Sequence, residues 1–254
     1  MENADAKRSS FKMIARRHLL ASAAAFLVLG TGRGYARTIS GGLPWAPNTA
    51  QPPVPVRPGP WQFFTADEAK LVEAMVDRLI PPDERGPGGK DAGCAVFIDR
   101  QLAGPYGASD DLYMRPPFMP GLPTQGYQNP EAPAARYRAG LKAIADHVRG
   151  AFSGKSFSEL SPKDQDEVLT GIDTGKIALP NVDGVGFFAL LLQNTEEGFF
   201  ADPIYGGNRD MAGWKLIGFP GARYDYRDWI ERHNERYPLP PVGIMGRSAW
   251  NVSE

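Results

Sequence analysis

Val185-Gly186-Phe187-Phe188-Ala189-Leu190-Leu191-Leu192-Gln193-Asn194-Thr195-Glu196-Glu197 is apolar nearly all round at helical spacing. It runs into Gly198-Phe199-Phe200-Ala201-Asp202-Pro203-Ile204-Tyr205-Gly206-Gly207-Asn208-Arg209-Asp210 and on through Gly213-Trp214 to Gly218-Phe219-Pro220-Gly221. A helix with no polar face belongs in the middle of a helical body, so this one is expected to be central and to deliver the chain into the Gly198–Gly221 segment. That second stretch mixes glycines with aromatics too freely for a regular helix or an alternating strand. Gly206, Gly207 and Asn208 supply positions that tolerate positive φ, which points to a tight turn there. Asp202, Tyr205, Gly206, Gly207, Asn208, Arg209, Asp210 and Trp214 are the residues expected to build it, with Arg209 paired to Asp202 or Asp210 in a buried contact.

Outward from this pair, the rest of the chain reads as helices. Thr65-Ala66-Asp67-Glu68 is a capping box, Leu71, Val72, Met75 and Leu79 follow at helical spacing, and Pro81-Pro82 ends the run. A second helix is expected from about Asp91, burying Cys94, Phe97, Ile98 and Leu102 and stopping at Gly104-Pro105. A third covers about Ala134–Arg149, with Tyr137, Leu141, Ile144 and Val148 on one stripe. A fourth opens at Ser161-Pro162-Lys163-Asp164, read as another capping box with proline at its first position, and a short one is expected near Asp225–Arg236. Between them, residues 103–133 hold seven prolines and the large apolar groups Tyr106, Tyr113, Met114, Phe118, Met119 and Tyr127. Loops this long within a compact domain are uncommon, and one rich in aromatics fits a surface that a partner covers.

The expected fold is mainly α: a single irregular helical domain with long Pro/Gly-rich loops and extended termini. Residues 1–36 read as a leader, 37–60 as a proline-rich extended arm, 61–237 as the helical domain and 238–254 as an extended tail. Gly41–Pro60 contains seven prolines, which makes it either a linker or an arm laid across a partner, polyproline-like in both cases. The partner-facing candidates are the arm from Pro52 to Trp61, the 106–127 loop with Tyr113, Phe118, Met119 and Tyr127, and the tail after Pro238.

The leader has a basic start (Lys7, Arg8, Lys12, Arg16, Arg17), a short apolar run from Leu19 to Leu29 and small residues ending at Ala36. That is the pattern of an export signal, and the apolar run falls well short of the about 20 residues of a spanning helix. Arg16-Arg17 resembles a twin-arginine signal; an ordinary secretory signal and an uncleaved anchor are the alternatives. Loss of residues 1–36 removes six of 28 basic and two of 29 acidic residues, leaving a net charge of −5. Neither nucleic acid nor direct attraction to anionic lipid is indicated.

A search for chemistry returns little. Three histidines, one of them in the leader, and one cysteine are too few for a metal site of separated ligands. No nucleophile elbow, dinucleotide fingerprint or covalent haem motif is present. The lone Cys94 is read as a buried thiol, with a bridge to another chain as the alternative. Glu196 and Glu197 are adjacent, so on a helix they point about 100° apart and do not share a substrate. No residue is therefore assigned to catalysis, to a cofactor or to a metal. Two alternatives stay open: a free-standing periplasmic enzyme using Glu196, Glu197, Asp202 and Asp210, and a sugar-binding module stacking its ligand on Tyr205 and Trp214.

The turn also carries a resemblance. Gly198 to Asp210 with Gly213 to Gly221, together with Phe63-Phe64-Thr65, Arg78-Leu79-Ile80-Pro81-Pro82 and Phe97-Ile98-Asp99-Arg100-Gln101-Leu102, resembles the gluconate 2-dehydrogenase subunit 3 family. The resemblance implies a small, non-catalytic gamma subunit of a periplasmic dehydrogenase complex acting on CH–OH donors. It implies a large partner that carries FAD and that this subunit helps to fold, export and stabilise. It further implies a multihaem cytochrome c subunit that takes the electrons and a membrane association made through the complex. It does not imply which sugar, polyol or aldonic acid is oxidised.

Overall fold

In the computed structural model, residues 54–57, 59–119, 121–125, 130–223 and 225–246 are described. Arg16, Arg17, Ala36, Pro52 and Tyr127 lie outside them. The described residues hold seven α-helices and short 3-10 turns, with isolated backbone bridges but no strand. The helices are α1 Ala66–Leu79, α2 Cys94–Ala103, α3 Pro105–Ala108, α4 Pro133–Ala151, α5 Pro162–Asp173, α6 Gly184–Phe200 and α7 Ala212–Ile217. The fold is mainly α, and no helix among the described residues is long and apolar enough to cross a membrane.

α1 begins with the reciprocal box: the Glu68 amide donates to Thr65 Oγ1 at 3.3 Å and the Thr65 amide donates to Glu68 Oε2 at 2.8 Å. At α5 the arrangement differs from the sequence expectation. Ser161 Oγ accepts from the Asp164 amide at 3.2 Å, but the Asp164 carboxylate takes the Ser161 hydroxyl at 2.7 Å and does not reach the backbone. Aspartate is one methylene shorter than the glutamate such a box uses. A box that does reach back forms at Ser156, whose amide donates to Glu159 Oε2 at 2.8 Å.

α2 starts at Cys94, three residues later than expected, because Gly93 takes φ +84° and turns the chain first. Within the 103–133 stretch the structure adds a one-turn helix, α3. The helix expected over Asp225–Arg236 is absent: only Arg227–Trp229 forms a 3-10 turn, and Asp225 is spent on the Arg227 amide and guanidinium. The tail is docked at its start, since Val242 is buried and bridged to Gly221.

One hydrophobic core joins these elements. Val72, Met75 and Val76 of α1 meet Cys94 and Ile98 of α2, Tyr137, Leu141, Ile144 and Val148 of α4, Val168 and Ile172 of α5, and Phe187 and Leu191 of α6. Each such side chain contributes roughly 1.5–3 kcal/mol on burial. α6 lies against α2, α5, α1, α4 and α7, so it is the central helix. Its deep face is Phe187, Leu191, Asn194, Thr195, Gly198 and Phe199, while Val185 and Phe200 reach solvent. Arg78 clamps α1 to α5 with two bonds to Asp166 at 2.8 and 2.7 Å.

Candidate functional site

α6 ends at Phe200, and the chain then makes its tightest path. Pro203–Tyr205 is a 3-10 turn capped by Asp202, Gly206 adopts φ +94°, and Asn208, Asp210 and Met211 all adopt positive φ before α7 starts. Gly207 packs directly on α6: a Cβ there would sit 2.1 Å from the Gly198 carbonyl oxygen. No side chain fits that gap.

Asn208 is the interior support of this turn. It is fully buried, its Nδ2 donates to the Ala201 carbonyl at 2.8 Å, and its Oδ1 accepts from the Gly213 amide at 2.8 Å. The side chain thus ties the end of α6 to the first turn of α7. Trp214 is buried beside it and donates from Nε1 to the Phe200 carbonyl at 2.7 Å.

Asp202 serves the backbone: Oδ1 accepts from Ile204 at 3.0 Å and Oδ2 from Ile244 at 2.6 Å. The Val56 amide donates to the Ile204 carbonyl at 2.8 Å, so the segment before α1 and the segment after the last turn both fasten here.

Arg209 does not pair with Asp202 or Asp210, because Asp202 already satisfies its oxygens with amides and Arg209 and Asp210 are both exposed. The Arg209 amide is engaged instead, donating to Ala92 at 2.9 Å. Arg209→Ala is accordingly expected to change the unfolding free energy by less than about 0.5 kcal/mol, read by denaturant titration; a loss above about 2 kcal/mol would contradict this placement.

The acidic residues considered for catalysis do not converge. Glu196 and Glu197 are exposed on α6, where Glu197 accepts from Gln193 at 2.8 Å. No group of three or more His, Cys, Asp or Glu among the described residues is placed to hold a metal ion. Cys94 is buried, which pushes its thiol up to about 12. It is protonated at neutral pH and out of reach of another chain's cysteine.

Two polar clusters escaped the sequence reading. Asp99 of α2 is fully buried and gathers the amides of Gln62, Phe63 and Phe64, each at 2.9 Å, with Arg100 on Oδ2. Apart from Arg100, its partners are backbone groups more than thirty residues away, which nothing in its own neighbourhood of sequence signals. Asn194 of α6, also buried, donates to the Tyr137 hydroxyl at 3.1 Å and accepts from Tyr106 at 3.0 Å. Burial raises the Tyr137 hydroxyl far above the ordinary tyrosine range.

The partner-facing candidates divide. Trp61 is half-buried and packs on the core edge-to-face with Phe64, so it serves this chain's own fold. Tyr113 and Met119 are 84% and 70% exposed, and Leu112, Phe118 and Leu122 also reach solvent. Five large apolar groups are thus exposed within eleven residues of sequence, and large open apolar surface is uncommon on a soluble monomer. Tyr205 is half-exposed and stands on the turn without a stacking neighbour among the aromatic contacts of the described residues.

Comparison with known proteins adds one match. The family model described as gluconate 2-dehydrogenase subunit 3 matches residues 66–221, from the first residue of α1 to the glycine that closes the turn. No curated protein and no solved structure matches the chain.

Proposed function

The chain belongs to the gluconate 2-dehydrogenase subunit 3 family, and from that premise we propose that it is the non-catalytic small subunit of a membrane-associated, FAD-dependent dehydrogenase complex. Its task on this reading is to fold with, escort and stabilise the flavoprotein that oxidises a sugar, polyol or aldonic acid. The FAD belongs to that partner and haem c to a multihaem cytochrome c that receives the electrons. The observation that carries the reading is the match itself, because it spans the whole helical core and the turn. The open apolar patch of Leu112, Tyr113, Phe118, Met119 and Leu122 supports it, as a surface that association would cover.

The leader supports a periplasmic destination by the twin-arginine route. That route suits a partner that takes up its cofactor before export and has no signal of its own; this chain would supply the signal for both. The membrane association would then come through the cytochrome.

The test is co-expression. The FAD-dependent subunit made with this chain is expected to reach the periplasm loaded and active, and made alone to stay inside the cell or lack flavin. Arg16→Lys together with Arg17→Lys in this chain is expected to hold both proteins back. A flavoprotein that is exported, flavin-loaded and fully active without this chain would end the proposal.

A further inference from the structure

Charged residues make up 22% of the chain, yet of residues 112–130 only Arg115 carries a charge. Leu112, Tyr113, Phe118, Met119 and Leu122 all reach solvent there, and none of them belongs to the core or packs against it. Nor do the rings cover one another: neither Tyr113 nor Phe118 takes part in an aromatic or cation–π contact among the described residues.

The segment stands on a firm root. Tyr106 of α3 donates to buried Asn194 at 3.0 Å, and Gly107 lies so close to α2 that a Cβ would sit 1.9 Å from the Leu102 carbonyl oxygen. The backbone beyond the root is sparing with open amides. Pro116, Pro117, Pro120 and Pro123 have none. The Leu112 amide donates to Ser109 at 3.0 Å, that of Leu122 to Gln125 Oε1 at 2.6 Å and that of Gln125 to Leu122 at 2.9 Å.

Open apolar side chains of this kind mark either a protein interface or a membrane contact. Protein interfaces concentrate their energy in pockets ringed by packed side chains. Rings that touch no other ring offer no such surface, whereas a fluid bilayer moulds itself around them. Hydrocarbon pairs no charge, and the segment brings only Arg115, whose long stem lets the guanidinium reach back to the lipid phosphates. Tyrosine, here the open Tyr113, is a residue of the membrane–water boundary. The irregular backbone sets the depth, because open amides are not tolerated at the hydrocarbon centre. Insertion therefore stops where headgroups meet acyl chains.

We infer that residues 112–125 form a membrane-contact loop, which lays Leu112, Tyr113, Phe118, Met119 and Leu122 into the near leaflet of a lipid bilayer. The inference takes its membrane from the complex proposed above, and adds a contact made by this chain itself beside the one through the cytochrome. The attraction is apolar, so it requires no anionic lipid.

A site-specific probe tests it in the full chain. Cys94 is buried, so Met119→Cys and, as a control on exposed α5, Lys163→Cys each offer one accessible thiol for an environment-sensitive fluorophore. With phosphatidylcholine vesicles the probe at position 119 is expected to brighten about threefold or more, while the probe at 163 stays unchanged. A tenfold rise in salt should alter the signal by less than about twofold. Tyr113→Asp with Leu122→Asp, both at exposed positions, should abolish it without moving the thermal unfolding of the chain. A probe at 119 that stays dark would overturn the inference and leave the subunit reading intact; a chain held on the vesicle by its leader alone gives that result. Brightening at 119 on adding the flavoprotein without lipid would assign the loop to that partner, and brightening with chain concentration alone would assign it to a second copy. Either overturns the inference. Failure of the flavoprotein to bind at all would remove the subunit reading, and the vesicle result would stand on its own.

Discussion

Asp99→Ala is expected to lower the unfolding free energy by about 3–5 kcal/mol, the loss incurred when one side of a buried charged contact is removed. The carboxylate holds three successive amides, those of Gln62, Phe63 and Phe64, and is itself held by Arg100, whose side chain is 10% exposed. Its removal takes the acceptor from three amides, of which that of Phe64 is buried and those of Gln62 and Phe63 are partly buried, while Arg100 keeps the Pro60 carbonyl. Each buried donor left unmade costs about 1–3 kcal/mol. The penalties overlap because the loop relaxes, so their sum is an upper bound. Asp99→Asn separates charge from shape: it keeps one acceptor but turns an NH2 group towards the amides, and should recover less than half of the loss. Denaturant unfolding of the mature subunit reads both. A fall below about 1 kcal/mol for the alanine variant would mean that the Trp61–Phe64 segment does not depend on this carboxylate.

Asn208→Ala is the second large effect, expected at about 2–4 kcal/mol. Two hydrogen bonds disappear at once, the buried one from the Gly213 amide and the partly buried one to the Ala201 carbonyl. The backbone adds to this, because Asn208 sits at φ 44°, a region that asparagine enters more readily than alanine. Three replacements apportion the effect. Asn208→Gly relieves the backbone but restores neither bond, so it should fall between alanine and wild type. Asn208→Asp keeps the acceptor for Gly213 but faces the Ala201 carbonyl with an oxygen, and is expected to be as harmful as alanine at neutral pH. If glycine matches wild type, the side-chain bonds carry no net stability and the turn is held by its backbone alone.

These two positions also mark what the sequence discloses. The helices were legible wherever a physical rule acts locally. Thr65 and Glu68 are three residues apart, Tyr137, Leu141, Ile144 and Val148 repeat at helical spacing, and the helix without a polar face proved to be the central one. Local rules also misled. Ser161 and Asp164 have the spacing of a reciprocal box without the length, and the charged residues of Asp225–Arg236 bond across two positions rather than along a helix. Arg209 has two acids nearby in sequence, yet it pairs with neither of them. The Asp99 cradle was invisible for the opposite reason: a backbone amide has no residue type, so an acid that binds three of them leaves no trace in composition or spacing.

Fastening both flanks of the domain to one turn has a further consequence. Val56 is held by Ile204 and Ile244 by Asp202, two anchor points within about 7 Å of chain. Ordinarily the beginning and end of a domain fray separately, each with its own small opening energy. Here neither flank can lift without disturbing the loop that secures the other. Amide protons of Val54, Val56, Arg57, Asp202, 204–206 and 242–246 should therefore exchange with solvent at a common rate, as a single latch.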